Sequence, residues 1–195
     1  MSEVGKDNGL LEKLSDGELA RAFGKGSEAA FEELYHRYRQ QLYAFLNHLT
    51  GDPVFADELF EDTWLRVIDK IDRYRDDGKF SAWLFRVARN IFHDRLRQRK
   101  RRAEVTLDTG LDGMEEVSSA ADPQEIMSQR DIGREIAAAL QMLPPDQREV
   151  FLMRHQELSF KEIADIQKCP LNTVLSRMQY ALRSLRKLLH GIYQD

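Results

Sequence analysis

Residues 86–102 read RVARNIFHDRLRQRKRR, and residues 103–125 read AEVTLDTGLDGMEEVSSAADPQE. The first segment holds eight Lys or Arg against the single acid Asp94, while the second holds seven Asp or Glu and no base. A net +7 stretch therefore abuts a net −7 stretch in a chain of 195 residues whose formal charge is only −4. Charge sorted this way crowds like with like, which is tolerated where an opposite partner binds each segment. The basic stretch suits a polyanion. The acidic one belongs elsewhere.

Working back from this boundary, Phe80, Trp83, Leu84, Val87 and Ile91 recur at helical steps and begin an amphipathic helix that runs into the basic stretch. Asp76-Asp77-Gly78 ahead of it reads as a turn. Phe60, Trp64, Val67, Ile68 and Ile71 form the stripe of an earlier helix, which Gly51-Asp52-Pro53 separates from the one before. That preceding helix is capped by Ser27 and carries Phe31, Leu34, Tyr35, Tyr38, Leu42, Phe45, Leu46 and Leu49. A short helix is expected between Ser15 and Phe23, with Gly24 beyond its end.

Working forward, residues 103–125 lose the helical period among Gly110, Gly113, Ser118, Ser119 and Pro123. Acid-rich sequence of low hydrophobicity buries too little surface to offset its ordering entropy, so a linker is expected. Fully extended, its 23 residues would reach about 75 Å at ~3.3 Å each. Helical spacing resumes with Ile126, Ile132, Ile136, Leu140 and Leu143 before Pro144-Pro145, and Val150, Phe151 and Leu152 lie on another short helix. Ser159-Phe160-Lys161-Glu162 has the spacing of a capping box and opens a helix to about Gln167. Cys169-Pro170 makes a tight connection, and a last helix runs from near Asn172 to about Tyr193. No strand pattern is found. The predicted fold is all-α: a helical domain over residues 1–102 (core about 14–102), an acidic linker over 103–125, and a second helical domain over 126–195 containing a helix-turn-helix.

Composition narrows the function. Hydrophobic content of 42% and charged content of 32% fit a soluble, core-forming helical protein. No apolar run approaches the roughly 20 residues that span a bilayer. The polar start MSEVGKDNGL is no secretory signal, so a cytoplasmic protein is expected. The lone Cys169 excludes an intramolecular disulfide and a thiolate-rich zinc site, and reads as a small buried apolar residue. His36, His48, His93, His155 and His190 lack metal-ligand spacing, and no phosphate loop or H-E-x-x-H motif occurs. Neither enzyme activity nor a metal or cofactor is expected.

Three segments can carry binding. Ser159–Leu188 looks like a helix-turn-helix, with the small Ala164 at a close helix approach and Val174 facing inward. An ordinary helical hairpin with a solvated basic face is the alternative reading of those residues. The aromatics Phe80, Trp83, Phe85 and Phe92 beside the basic helix suit unstacked single-stranded bases, or else simply core. Residues 52–62 (DPVFADELFED) hold five acids and no base, which suits a basic protein partner or a helix start favoured by the macrodipole.

Taken in order, AFEELYHRYRQQLYAF (30–45), DELFEDTWLRVI (57–68), FSAWLFRVARNIFHDRLRQRKRR (80–102), LPPDQREVFLMRHQELSFKEIA (143–164) and PLNTVLSRMQYALRSLRKLL (170–189) resemble a bacterial extracytoplasmic-function sigma factor, a promoter-recognition subunit of RNA polymerase. The resemblance spans roughly Leu14–Leu189. It implies that Asp57, Glu58, Glu61, Asp62 and Trp64 meet the polymerase clamp, the carboxy-terminal domain meets the flap, and the acidic linker threads the polymerase's nucleic-acid channels. It implies capture of a melted, single-stranded −10 element by Arg75, Lys79, Phe80, Trp83, Arg86, Asn90, His93 and Arg97, with Arg75–Phe80 as the loop that pockets a flipped base. It further implies that Asn172, Thr173, Ser176, Arg177, Gln179, Tyr180 and Arg183 read a double-stranded −35 element, and that an anti-sigma factor restrains the protein. Three departures stand out. Leu175 and Tyr180 occupy positions where many relatives carry arginine, so bidentate guanine contacts are fewer. Glu61 replaces a common glutamine. Lys168 occupies the usual turn glycine, at a cost of roughly 1 kcal/mol if the backbone there is left-handed. A free-standing helix-turn-helix regulator and a helical adaptor are the rival readings; the first needs no acidic linker, the second no cationic stretch.

Overall fold

The protein is described from a computed structural model over residues 11–75, 79–108 and 129–190. The turn expected at 76–78 and the greater part of the expected linker lie outside these residues, as do Ile126 and Tyr193.

Each boundary in the first half has a local chemical cause. Helix α1 (Asp16–Gly24) opens with a reciprocal capping box: Ser15 Oγ accepts from the Glu18 amide and the Glu18 carboxylate accepts from the Ser15 N–H. Helix α2 (Glu28–Thr50) is capped by Ser27 and ends at Gly51, whose φ of 69° is the left-handed conformation that glycine adopts freely. Asp52 then accepts from the Val54 and Phe55 amides, and Pro53 occupies the first turn of α3 (Pro53–Lys70). A 3-10 turn at Ile71–Arg73 follows, then α4 (Phe80–Asp108). Helix α4 thus continues through residues 103–108, where the linker was expected to begin. Ala103, Glu104 and Leu107 favour helix, and no breaker occurs before Gly110.

Helix α2 lies at the centre and packs against α1, α3 and α4. Leu34, Leu42, Phe45, Leu59, Val67, Leu84 and Phe85 are fully buried, with the Phe45 and Phe85 rings edge to face at 5.1 Å. Each such side chain contributes about 1.5–3 kcal/mol by leaving water. The expected stripe holds for Trp64 and Val67 on α3 and for Ile71 just beyond it, but not for Ile68, which is 47% exposed. Trp64 packs against Phe31 and Tyr35, with ring centroids 5.8 and 5.1 Å away.

The second half comprises α5 (Gln129–Gln141), α6 (Pro145–His155), α7 (Phe160–Gln167) and α8 (Leu171–His190). Leu140, Leu143, Val150, Met153, Ile163, Val174, Ala181 and Leu185 form its interior. Ser159 and Glu162 complete the expected capping box at the start of α7. Ala164 and Val174 are buried between α7 and α8, whereas Cys169 is half-buried rather than enclosed. Among the described residues no helix is long and apolar enough to cross a membrane.

Lys168, closing α7, has φ 53° and ψ 47°. A side chain in this left-handed well costs roughly 1 kcal/mol relative to glycine. Lys168→Gly is therefore expected to raise the thermal unfolding midpoint by about 2–4 °C, read by circular dichroism.

Candidate nucleic-acid and polymerase interfaces

Lys79, Trp83, Arg86, Asn90, His93 and Arg97 succeed one another at steps of three or four residues, which puts them along one side of α4 and the residue before it. Lys79, Arg86, Asn90 and Arg97 are exposed, and Trp83 and His93 are half-buried. Trp83 leans on Tyr74 and Phe80, with centroids 5.1 and 5.7 Å apart, and its outer edge borders a cavity of about 210 Å³ shared with Arg73, Arg75, Lys79 and Arg86. Phe80 itself is 1% exposed and wedged between Tyr38 and Tyr74. Phe85 and Phe92 are also core, so of the four aromatics only Trp83 keeps a free edge. Further along, Arg66, Lys70, Arg89, Asn90, His93 and Arg97 line a second cavity of about 650 Å³. A cationic lining of this kind suits a phosphate backbone.

The other flank of α4 faces the acidic start of α3. Arg95 bonds Asp62 at 2.5 and 2.9 Å, Arg99 reaches Glu58 at 3.5 Å, and the Arg99 guanidinium sits 3.5 Å above the Phe55 ring. Some of the acidic charge is therefore matched within the chain. Asp57 and Glu61 remain exposed, while Trp64 is only 5% exposed and lies on the inner face. Two apolar residues that sequence reasoning did not single out for this face are exposed on it instead. Leu65 is 64% and Ile68 47% exposed, beside Glu61, Asp62 and Asp69.

On α8, Asn172, Ser176, Gln179, Tyr180 and Arg183 are exposed, and Thr173 is half-buried. Arg183 lies 5.8 Å over the Tyr180 ring. Arg177 turns back into its own domain, donating to Gln167 Oε1 at 2.8 Å and pairing with Asp146.

The two halves meet through α5, α6 and α7. Arg148 donates to the Leu49 carbonyl at 3.0 Å, and Gln141 Nε2 to the His48 carbonyl at 2.7 Å. These are carbonyls of the last turn of α2, which lack helical partners and attract positive charge. Glu149, fully buried, accepts from Arg89 Nε and His93 Nε2 at 2.6 Å each and from Gln167 Nε2 at 3.0 Å. Burial pushes this carboxyl up, but the hydrogen bonds and charges of His93 and Arg89 outweigh it and hold it below the ordinary 4.5. A lowered carboxyl contributes stability that is complete above its unfolded value and lost as pH falls through the folded one. Contact between the halves is expected to hold at neutral pH and weaken below about pH 4.5, read as an increase in radius of gyration on acidification.

The described residues thus form two helical bodies, one ending in a helix-turn-helix and the other presenting a cationic helix with a tryptophan edge. The sigma-70 region 2 model matches residues 34–102, and the sigma-70 region 4 model matches residues 133–185. The chain is 25% identical to the RNA polymerase sigma-H factor of Pseudomonas aeruginosa over 95% of its own length and 100% of that protein's. It is 32% identical to the ECF RNA polymerase sigma factor SigM of Bacillus subtilis over 79% of this chain and 93% of the relative. Among solved structures, the sigma factor RpoE in complex with the anti-sigma factor NepR from Bartonella quintana superposes with a TM-score of 0.68 at 28% identity, covering 82% of this chain and 96% of that one. The chain belongs to the extracytoplasmic-function (ECF) sigma factors of RNA polymerase.

Proposed function

We propose that residues 1–102 bind the polymerase clamp and capture the single-stranded −10 element, that 103–125 link the two bodies, and that 126–195 read the −35 element. The observation that carries this reading is the α4 stripe. It combines cations for phosphates, Asn90 for a base edge and a braced Trp83 for stacking, in one chain with an exposed helix-turn-helix face. On the clamp side, Leu65 and Ile68 supply apolar anchors within the acidic rim of Asp57, Glu61 and Asp62. On α8, direct reading falls to Asn172, Ser176, Gln179 and Tyr180, with Arg183 toward phosphate. Arg177 positions α8 through Asp146 and Gln167. Phe80 supports the −10 pocket from beneath as core. Because the net charge is acidic, the chain alone binds duplex promoter weakly, and the polymerase supplies most phosphate contacts. An anti-sigma factor is its regulator, as NepR is found with the Bartonella relative. The protein works in the cytoplasm and performs no chemistry of its own.

The test is reconstitution. Core RNA polymerase with the added chain should yield new transcripts from discrete start sites on genomic templates. A transcript pattern identical to that of core enzyme alone would refute the reading.

A further inference from the structure

We infer that the −35 contact of this chain is built for A·T pairs, with Asn172 and Gln179 taking adenine edges, Leu171 and Leu175 lying against thymine methyls, and guanine required at no position. The inference rests on the reading of α8 as the −35 helix and narrows it to a class of sequence.

A recognition helix meets base edges with its first turns and leaves the later ones to the backbone. In the major groove guanine offers two acceptors side by side, O6 and N7, which the donors of arginine or lysine match. Residues 171–180 (LNTVLSRMQY) hold one such cation, Arg177. It is committed elsewhere, donating to Gln167 Oε1 at 2.8 Å, lying 3.5 Å from Cys169 Sγ and pairing with Asp146. Gln167 is only 9% exposed, and its amide nitrogen already serves Glu149 and the Asp146 carbonyl. Swinging Arg177 out would therefore strip a buried carbonyl of its donor.

The side chains left facing outward suit the other base pair. Asn172 and Gln179 are exposed. Each terminal amide sets a donor beside an acceptor, which adenine N7 and N6 complement, whereas against guanine the amide carbonyl would face a second acceptor. Leu175 is half-buried, three residues after Asn172 and four before Gln179, and so neighbours both on the helix surface. Leu171, 45% exposed, lies one turn before it. Such side chains gain contact from a thymine methyl, which cytosine lacks. Ser176 gives its proton to the Asn172 carbonyl at 2.9 Å and keeps only acceptor capacity. Tyr180 brings a ring and one hydroxyl, with Arg183 5.8 Å over it. Arg183, Arg186 and Lys187, exposed further along α8, fall to phosphates.

The test uses core RNA polymerase carrying the full chain, on a promoter from which it initiates, with the −35 region randomised and transcripts sequenced against the input. Adenine and thymine are expected to be enriched, each A·T to G·C change at a contacted position costing about tenfold in transcript. Gln179→Ala should erase an adenine preference at one position and leave the others. Leu175→Arg should exchange a thymine preference for guanine, about tenfold in ratio, because the new guanidinium enters between the two amides. Arg177→Ala should lower transcription from all −35 sequences by one common factor, as loss of a positioning residue does. A preference changed at a single position by Arg177→Ala would make Arg177 a base reader and overturn the inference. Guanine enriched at any −35 position by the parent holoenzyme overturns it equally, and needs no variant to fold. An unaltered preference in Leu175→Arg removes the leucine contact. A randomised region that shows no preference while initiation persists instead takes α8 away from the −35 element altogether, so failure of the underlying reading is told apart from failure of its base chemistry.

Discussion

Trp83→Ala is expected to cut open-complex formation by roughly five- to a hundredfold while leaving polymerase binding nearly unchanged. Base stacking on an aromatic contributes about 1–3 kcal/mol, and Trp83 alone among the four aromatics of this segment offers an edge to the cavity beside Arg73, Arg75, Lys79 and Arg86. Its other side is braced by Tyr74 and Phe80, so the ring is positioned before any base arrives and little ordering entropy is lost on capture. Asn90→Ala should act in the same direction with a smaller loss, because it forfeits a base contact but no stacking surface. Permanganate footprinting of melted promoter reads the effect, and co-purification with core polymerase reads retention. Equal loss in both would assign Trp83 to folding instead.

The second large effect is expected on α3. Leu65→Asp combined with Ile68→Asp should weaken association with core polymerase by at least about thirtyfold, the scale of a hot-spot loss near 2 kcal/mol. Both side chains already face solvent in this chain, so thermal unfolding should stay within about 0.5 kcal/mol of the parent. Wild-type affinity in the double variant would remove these residues from the polymerase contact.

These two sites differ in how well a sequence could announce them. Helix boundaries were legible because their causes are local: Ser27, Asp52-Pro53 and the Ser159–Glu162 box each satisfy amides within three residues. The positions along the α4 stripe were legible for the same reason, since helical steps alone place them. The edge of the inward face of α3 was not, although Trp64, Val67 and Ile71 lie inward as the stripe has them. Trp64 and Ile68 stand one turn apart and both fit an apolar stripe, and the choice falls to the Phe31 and Tyr35 rings from another helix. Arg177 read as a base contact because its helical position faces outward, yet its long stem reaches back to Asp146 and Gln167. Pairing of Glu149 with Arg89 and His93 crosses more than fifty residues of chain, and no local spacing encodes it.

Arg148 and Glu149 are neighbours on one rigid helix, yet they engage different parts of the first half, one the exposed carbonyls ending α2 and the other the side of α4. Both ride on the same helical turn, so a displacement of α6 disturbs the two grips together. A substitution that moves α6 is thereby felt at the end of α2 and along α4 at once.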